Sequence, residues 1–198
     1  MRSATIILMV ILIAAAIVGC TSKAKEIQRV MDSPIAVDSQ FEEGANFGQF
    51  ASWNWIPMTQ MPGQDPLTGD MDITKEIKEA FDGGMYTRGY RKVDSSYDLI
   101  ANFHLASETV DKAYINEYYG GKYPEYKADM TGSKDDNKTW DEGTLIFFLF
   151  DPRNGQLVFQ SSAQAEVTEG ASIEQRHTRI NKVVTMMLAE LPKRSATP

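Results

Sequence analysis

The best-defined chemistry in this chain belongs to its single thiol. Cys20 closes the run Ile17-Val18-Gly19-Cys20, behind Arg2 and an apolar stretch from Ile6 to Val18. A basic start, a greasy core, small residues and then a cysteine is the layout that prepares a thiol for lipid. The apolar stretch is 13 residues long, whereas a spanning helix needs about 20. The segment 1–19 therefore predicts a leader cut between Gly19 and Cys20, not a retained span. Acyl chains on Cys20 would each contribute about 0.8 kcal/mol per buried methylene, and two or more hold stably. Thr21 and Ser22 follow the cysteine, with no Asp. That predicts an outer-membrane address, with the domain facing the periplasm.

Other reactive groups are sparse. There are two histidines. His104 falls on a strand, and a hydrolase or metal-dependent enzyme would have to use it with nearby acids. His177 borders the apolar stripe of a helix. A two-histidine metal site needs both rings to converge with a carboxylate, and they lie on different elements. Asp65, Asp70 and Asp72, and Asp135, Asp136, Asp141 and Glu142, lack the spacing of a calcium loop. No Gly-x-Ser-x-Gly elbow, Ser-x-x-Lys or phosphate loop occurs. The expectation is no catalytic residue and no cofactor.

A better candidate for recognition is aromatic. Tyr114, Tyr118, Tyr119, Tyr123 and Tyr126 lie with Gly120 and Gly121 in a long polar stretch from Ala113 to Lys138. Loops of that length are often functional, and tyrosine gives large contact area at low entropic cost.

The elements that must position these residues follow from periodicity. Ile35-Ala36-Val37 is a candidate first strand. Phe47–Ile56 is a second, with Ala51, Trp53 and Trp55 on one face. The spacing of Ile73, Ile77, Ala80, Phe81 and Met85 predicts a helix over about 70–88. Within it, Gly83 and Gly84 imply either a break or a close neighbour, and Gly89 is placed to end it. Asp98–Val110 alternates as a strand, with Leu99, Ala101, Phe103 and Leu105 on one side and Asn102 and His104 on the other. Thr144–Phe150 is apolar on both faces, as a central strand is. Asp151-Pro152-Arg153-Asn154-Gly155 is a turn. In Leu157–Val167, Leu157, Phe159, Ala163, Ala165 and Val167 are expected inward, and Gln160, Ser162, Gln164 and Glu166 outward. A last helix runs over about 172–190, with Ile173, Ile180, Val183, Val184, Met187, Leu188 and Leu191 as its buried stripe.

This order predicts an α/β (α+β) two-layer sandwich: a mixed, mostly antiparallel sheet with two helices on one face. The other face is expected to be open, displaying Asn102, His104, Gln160, Ser162 and Gln164 to a partner. Trp53, Trp55 and Phe103 between sheet and helices offer a second possibility, a pocket for a small hydrophobic ligand.

The 179 residues from Cys20 to Pro198 suit one domain. The expected organisation is a leader (1–19), a lipidated start and short polar tether (20–33), a globular domain (34–192) and a tail (193–198). Loss of the leader removes Arg2 and no acid, taking the net charge from −7 to −8. Such a surface offers little to a phosphate backbone, so nucleic acid is excluded. With Cys20 acylated no thiol remains for a disulfide.

Four stretches carry a family resemblance. They are Phe47-Gly48-Gln49-Phe50-Ala51-Ser52-Trp53-Asn54-Trp55; Ile73–Val93 ending Arg88-Gly89-Tyr90-Arg91-Lys92-Val93; Asp98-Leu99-Ile100-Ala101-Asn102-Phe103-His104; and Glu142-Gly143-Thr144-Leu145 followed by Asp151–Val158. Together, over about residues 35–191, the chain resembles the domain of unknown function 4136 family of bacterial lipoproteins. Phe159 stands where that family often has Trp or a neighbouring aromatic. The resemblance implies a fold and an envelope location, and it brings no catalytic residues. The function expected from these readings is a membrane-anchored envelope lipoprotein acting as a non-enzymatic interaction module. Its partners would be the membrane, through acylated Cys20, and an envelope or cell-wall-associated protein.

Overall fold

The computed structural model describes residues 23–42, 44–56, 71–106, 110–111, 113, 137, 139–140, 143–165 and 171–194. Helix α1 covers residues 23–32. It is followed by β1 (Ile35–Phe41), a 3-10 turn (Phe47–Gln49), β2 (Ser52–Trp55), α2 (Met71–Thr87), β3 (Arg91–Lys92), β4 (Leu99–Leu105), β5 (Val110–Asp111), β6 (Thr139–Trp140), β7 (Thr144–Asp151), β8 (Gln156–Ala165) and α3 (Ile173–Met187). The main sheet has the order β1-β8-β7-β4-β2-β3, and β5 and β6 form a separate pair. The ladders β1–β8, β8–β7 and β7–β4 are antiparallel, while β4–β2 and β2–β3 are parallel. The sheet is therefore mixed and mostly antiparallel, and the fold is an α/β sandwich.

Strand β7 is central because every one of its residues is buried, which its two-sided apolar sequence requires. The helix-side core joins Trp53, Trp55, Ala101, Phe103, Phe147, Leu149 and Phe159 to Ile77, Phe81 and Met85 of α2 and Val183, Val184 and Met187 of α3. Phe81 stacks on Phe147 with centroids 4.1 Å apart. Trp55 meets Trp53, Phe81, Phe103 and Phe147 edge-on. Such aromatic pairs contribute about 0.5–1.5 kcal/mol each beyond their buried area.

Helices α2 and α3 lie side by side in the same direction: Glu76 meets Arg176 near one end and Gly84 meets Leu188 near the other. The Gly83-Gly84 pair does not break α2. A Cβ on Gly84 would come within 2.6 Å of Leu188 Cδ1, whereas one on Gly83 would meet nothing within 4 Å. Gly84 thus permits the helix contact and Gly83 does not. Gly89 has φ +84° and ends the helical region. Helix α3 begins with a capping box: Ser172 Oγ accepts from Gln175 N–H, and the Gln175 side-chain Oε1 accepts from Ser172 N–H.

Four expectations are corrected. Residues 23–32, read as part of a polar tether, form α1 and bury Val30 against the body. Leu157 does not share the side of Phe159, because a bulge lets Leu149 pair with Phe159 and Phe150 with Leu157. The extra residue puts Val158 in the helix-side core instead. Ile173 is not in the buried stripe of α3; it is 66% exposed at the first helical position. Residues 193 and 194, read as tail, stay attached. Arg194 N–H donates to the Arg88 carbonyl at 2.9 Å, and the Arg194 guanidinium binds the Phe50 carbonyl.

Candidate functional site

The second sheet face gathers the polar residues picked out by alternation. Strand register arranges it in rows. Asn102, Phe148, Gln160 and Gln40 form one, and His104, Ile146, Ser162 and Asp38 the next. The middle of the face is an apolar stripe from β7, Ile146-Phe148-Phe150, with Phe148 and Phe150 stacked at 6.0 Å. Polar rails from β4 and β8 flank it.

The structure brings Asn102, His104 and Gln160 onto this one face, but it corrects the expectation that the face is open. Asn102 and Gln160 are each 2% exposed and His104 is 5% exposed. Alternation reports which side a residue takes, not whether that side is covered. Gln164 alone of the five sheet residues expected on this face is exposed; Ser162 is buried with the others. The Asn102 side-chain oxygen accepts from Phe103 N–H at 2.9 Å. The Gln160 oxygen finds no hydrogen-bond partner among the described residues. In the His104 row the acid is Asp38, three strands away, which at about 4.8 Å per strand is roughly 14 Å. That separation cannot join an imidazole and a carboxylate in one catalytic pair.

His177 lies on the opposite side of the sheet, with the helices. Its Nε2 is 3.5 Å from Glu76 Oε1, and Arg176 grips the same carboxylate with Nε and Nη2 at 2.9 and 2.8 Å. The Arg176 bonds lower the Glu76 pKa against the opposing effect of its burial. The two histidines therefore do not converge. Among the described residues no group of three His, Cys, Asp or Glu side chains could hold a metal. Cys20, Tyr114, Tyr118, Tyr119, Tyr123 and Tyr126 lie outside the described residues, as do Asp65, Asp70, Asp135, Asp136, Asp141 and Glu142.

Trp53, Trp55 and Phe103 fill the space they were expected to line, since the Trp55 ring packs on Trp53, Phe103 and Phe81. Trp55 Nε1 donates to Asp82 at 2.8 Å. Asp82 also receives Lys92 Nζ at 2.7 Å, while Lys92 lies over the Trp53 ring.

Two polar clusters escaped the sequence reading. Asp98 Oδ2 accepts from Ala51 N–H, Ser52 N–H and Ser52 Oγ–H at 2.7, 2.9 and 2.9 Å. It ties the start of β2 to the start of β4. Burial would raise its pKa, but these bonds prevail and lower it. Arg179 is buried in α3, where the guanidinium reaches α1 and the entry to β1: Nη1 binds the carbonyls of Met31 and Ser33 at 3.1 and 3.0 Å, and Nη2 binds Ser33 Oγ at 2.8 Å. Its signal was its place, four residues before Val183 on the inward stripe.

The residues that carried the resemblance now have structural roles. Phe47–Trp55 is the 3-10 turn and β2, Asp98–His104 is the clamp and β4, and Thr144–Val158 is the β7–β8 hairpin with its bulge. The family model for the domain of unknown function DUF4136 matches residues 37–193.

The chain belongs to the DUF4136 family.

A DUF4136 family protein from Bacteroides thetaiotaomicron VPI-5482, known from a crystal structure at 1.60 Å, superposes with a TM-score of 0.51 at 14% identity, over 82% of this chain and 100% of that one. At this identity the likeness concerns the DUF4136 fold alone. Weaker likenesses that carry no argument are to a PDZ domain protein from Parabacteroides distasonis ATCC 8503 (TM-score 0.45, 11% identity, 81% of this chain and 37% of that one) and to the PelC dodecamer from Paraburkholderia phytofirmans (0.40, 9%, 82% and 100%). No curated protein matches the chain.

Proposed function

We propose that this DUF4136 protein is a lipid-anchored module of the bacterial envelope that holds a partner without catalysing a reaction on it. The observation that carries this reading is how little chain separates Cys20 from the body. Helix α1 begins at residue 23, and three residues reach no more than about 10 Å. Helix α1 is in turn held to α3 by Arg179. An acyl group on Cys20 would therefore keep the domain at the bilayer surface instead of letting it range on a flexible leash. Thr21 and Ser22 support an outer-membrane address, with the domain on the periplasmic side. The partner is an envelope or cell-wall-associated protein. Of the residues expected to meet it, Gln164 is on the surface, and the five tyrosines remain candidates from their sequence.

Fractionation of cells making the full chain or Cys20→Ser tests the anchor. The unaltered protein should sediment with membranes and carry acyl mass on its N-terminal cysteine, and the variant should be soluble. A chain that sediments equally well without the thiol would overturn the reading. Photocrosslinking from Tyr119 in intact cells tests the partner, expecting one envelope protein enriched over abundant bystanders.

A further inference from the structure

From the geometry we infer which end of the domain meets lipid: the end formed by α1 and the first turn of α3 rests on the anionic headgroup layer, with Ile173 entering it. The inference rests on the anchored reading above and adds an orientation to it.

Strand register defines two ends of the sheet. Ile35, Ala165, Thr144 and Leu105 share one end, because Ile35 pairs with Ala165, Thr144 with Gln164, and Leu105 with Leu145. The turn containing Asn154 closes the β7–β8 hairpin at the other end. Nine steps of β8 at about 3.3 Å place the two ends roughly 30 Å apart. Ser33 and Pro34 connect α1 directly to the Ile35 end.

Helix α3 starts near the same end. Gln28, Met31 and Asp32 of α1 line a groove of about 450 Å³ together with Glu174, Gln175, Thr178 and Arg179 of α3. The first turn of α3 thus faces α1. The Arg179 bonds to Met31 and Ser33 fix the C-terminal half of α1 to α3, and since the ten residues of α1 span about 15 Å and three more reach about 10 Å, the bilayer at Cys20 is within about 25 Å of that junction.

Two features suit this end to lipid. Ile173 is the most exposed aliphatic side chain among the large hydrophobics described, at 66%, although it begins a well-capped helix. A single exposed isoleucine is ordinary elsewhere on a protein. Here it occupies the end to which α1, the helix that follows the acylated residue, is joined, where apolar side chains gain by entering an interface. The charge there is also distinct. Lys23 and Lys25 are exposed on the first turn of α1 and Glu26 there is paired with Arg29 at 2.7 Å, while the acids facing the groove are Asp32, whose donor Gln28 at 2.8 Å is neutral, and the exposed Glu174. A mature chain of net charge −8 thus presents two uncommitted lysines next to the acylated residue, where anionic headgroups attract them over about a Debye length.

The test uses the full acylated protein in vesicles of phosphatidylethanolamine and phosphatidylglycerol, with a photoreactive benzophenone side chain installed at Ile173 or, separately, at Asn154. Intact mass first establishes that Cys20 is acylated; a lack of acyl groups defeats the anchored reading and is thereby distinguished from a wrong orientation. With the anchor present, label at position 173 should crosslink to lipid several-fold more than label at 154. Lys23→Glu with Lys25→Glu should reduce the yield at 173 several-fold without removing the protein from the vesicles. Equal yields at the two positions, or more lipid at 154, would overturn the orientation. A yield at 173 unaffected by charge reversal would overturn the role of the lysines.

Discussion

Arg179 bonds both the carbonyl oxygen and the hydroxyl of Ser33, at 3.0 and 2.8 Å. The residues are 146 positions apart, so one guanidinium welds the entrance of the domain to its final helix. Charged hydrogen bonds contribute about 1.5–3 kcal/mol. Arg179→Ala should therefore cost about 2–3 kcal/mol in urea unfolding, and amides in residues 23–33 should exchange markedly faster than those in β7. Unchanged protection in α1 would show that Val30 burial alone holds the helix.

The adjacent glycines of α2 should respond in opposite directions. Gly83→Ala adds a methyl into open space and removes a poor helix former, so stability should rise by up to about 1 kcal/mol. Gly84→Ala meets the buried Leu188 side chain at 2.6 Å. The resulting overpacking costs about 1–3 kcal/mol, which exceeds the gain in propensity. Thermal melts of the two variants check the sign of each.

Stability should fall in acid. Arg176 lowers Glu76, Arg153 lowers Asp151, and the Ala51 and Ser52 donors outweigh burial to lower Asp98. A depressed folded pKa stabilises above the unfolded value, 4.5 for Glu and 3.8 for Asp, and that contribution is lost as pH drops through the lower folded value. Melting temperature should be level near neutrality and decline from about pH 5 downward. Asp98→Asn should lose about 2 kcal/mol at pH 7 and show a shallower acid decline, measured by melts across pH.

Alkali should act through Tyr90. Burial pushes its phenol up to about 12 from 10.0, and its hydroxyl donates to the Pro192 carbonyl at 3.0 Å. The folded form holds this proton more tightly, so its contribution is complete below pH 10 and disappears as pH climbs toward the folded value. Ultraviolet titration should find one tyrosine ionising last. Tyr90→Phe should remove that step and cost about 1 kcal/mol.

Much of the fold was legible because the signals were local. Ile73 to Met85 spelled one helical stripe, Ser172 marked the start of α3, and β7 declared itself central by being apolar throughout. Helix α1 was harder to read: Ile27, Val30 and Met31 do follow i, i+3, i+4, but they sit among Lys, Glu, Gln and Arg. The bulge at Val158 breaks a period of two without any Gly or Pro to announce it. The candidate site was legible only in its sidedness. Asn102, His104 and Gln160 were placed on the right face, but their burial is a tertiary property that no alternation encodes. Asp98 and Arg179 looked like ordinary charges, because the groups they bind are distant in sequence.

The position of β1 bears on how the molecule is made. Among the described residues strand β1 pairs with β8 alone, and the Ser39–Ser161 bond spans 122 residues. A nascent chain thus carries its first strand without a neighbour until nearly the whole polypeptide has been synthesised. Closing so large a loop is slow, so β1 joins the sheet late, after the β4–β7–β8 ladders that need no residue before 99 can already have formed.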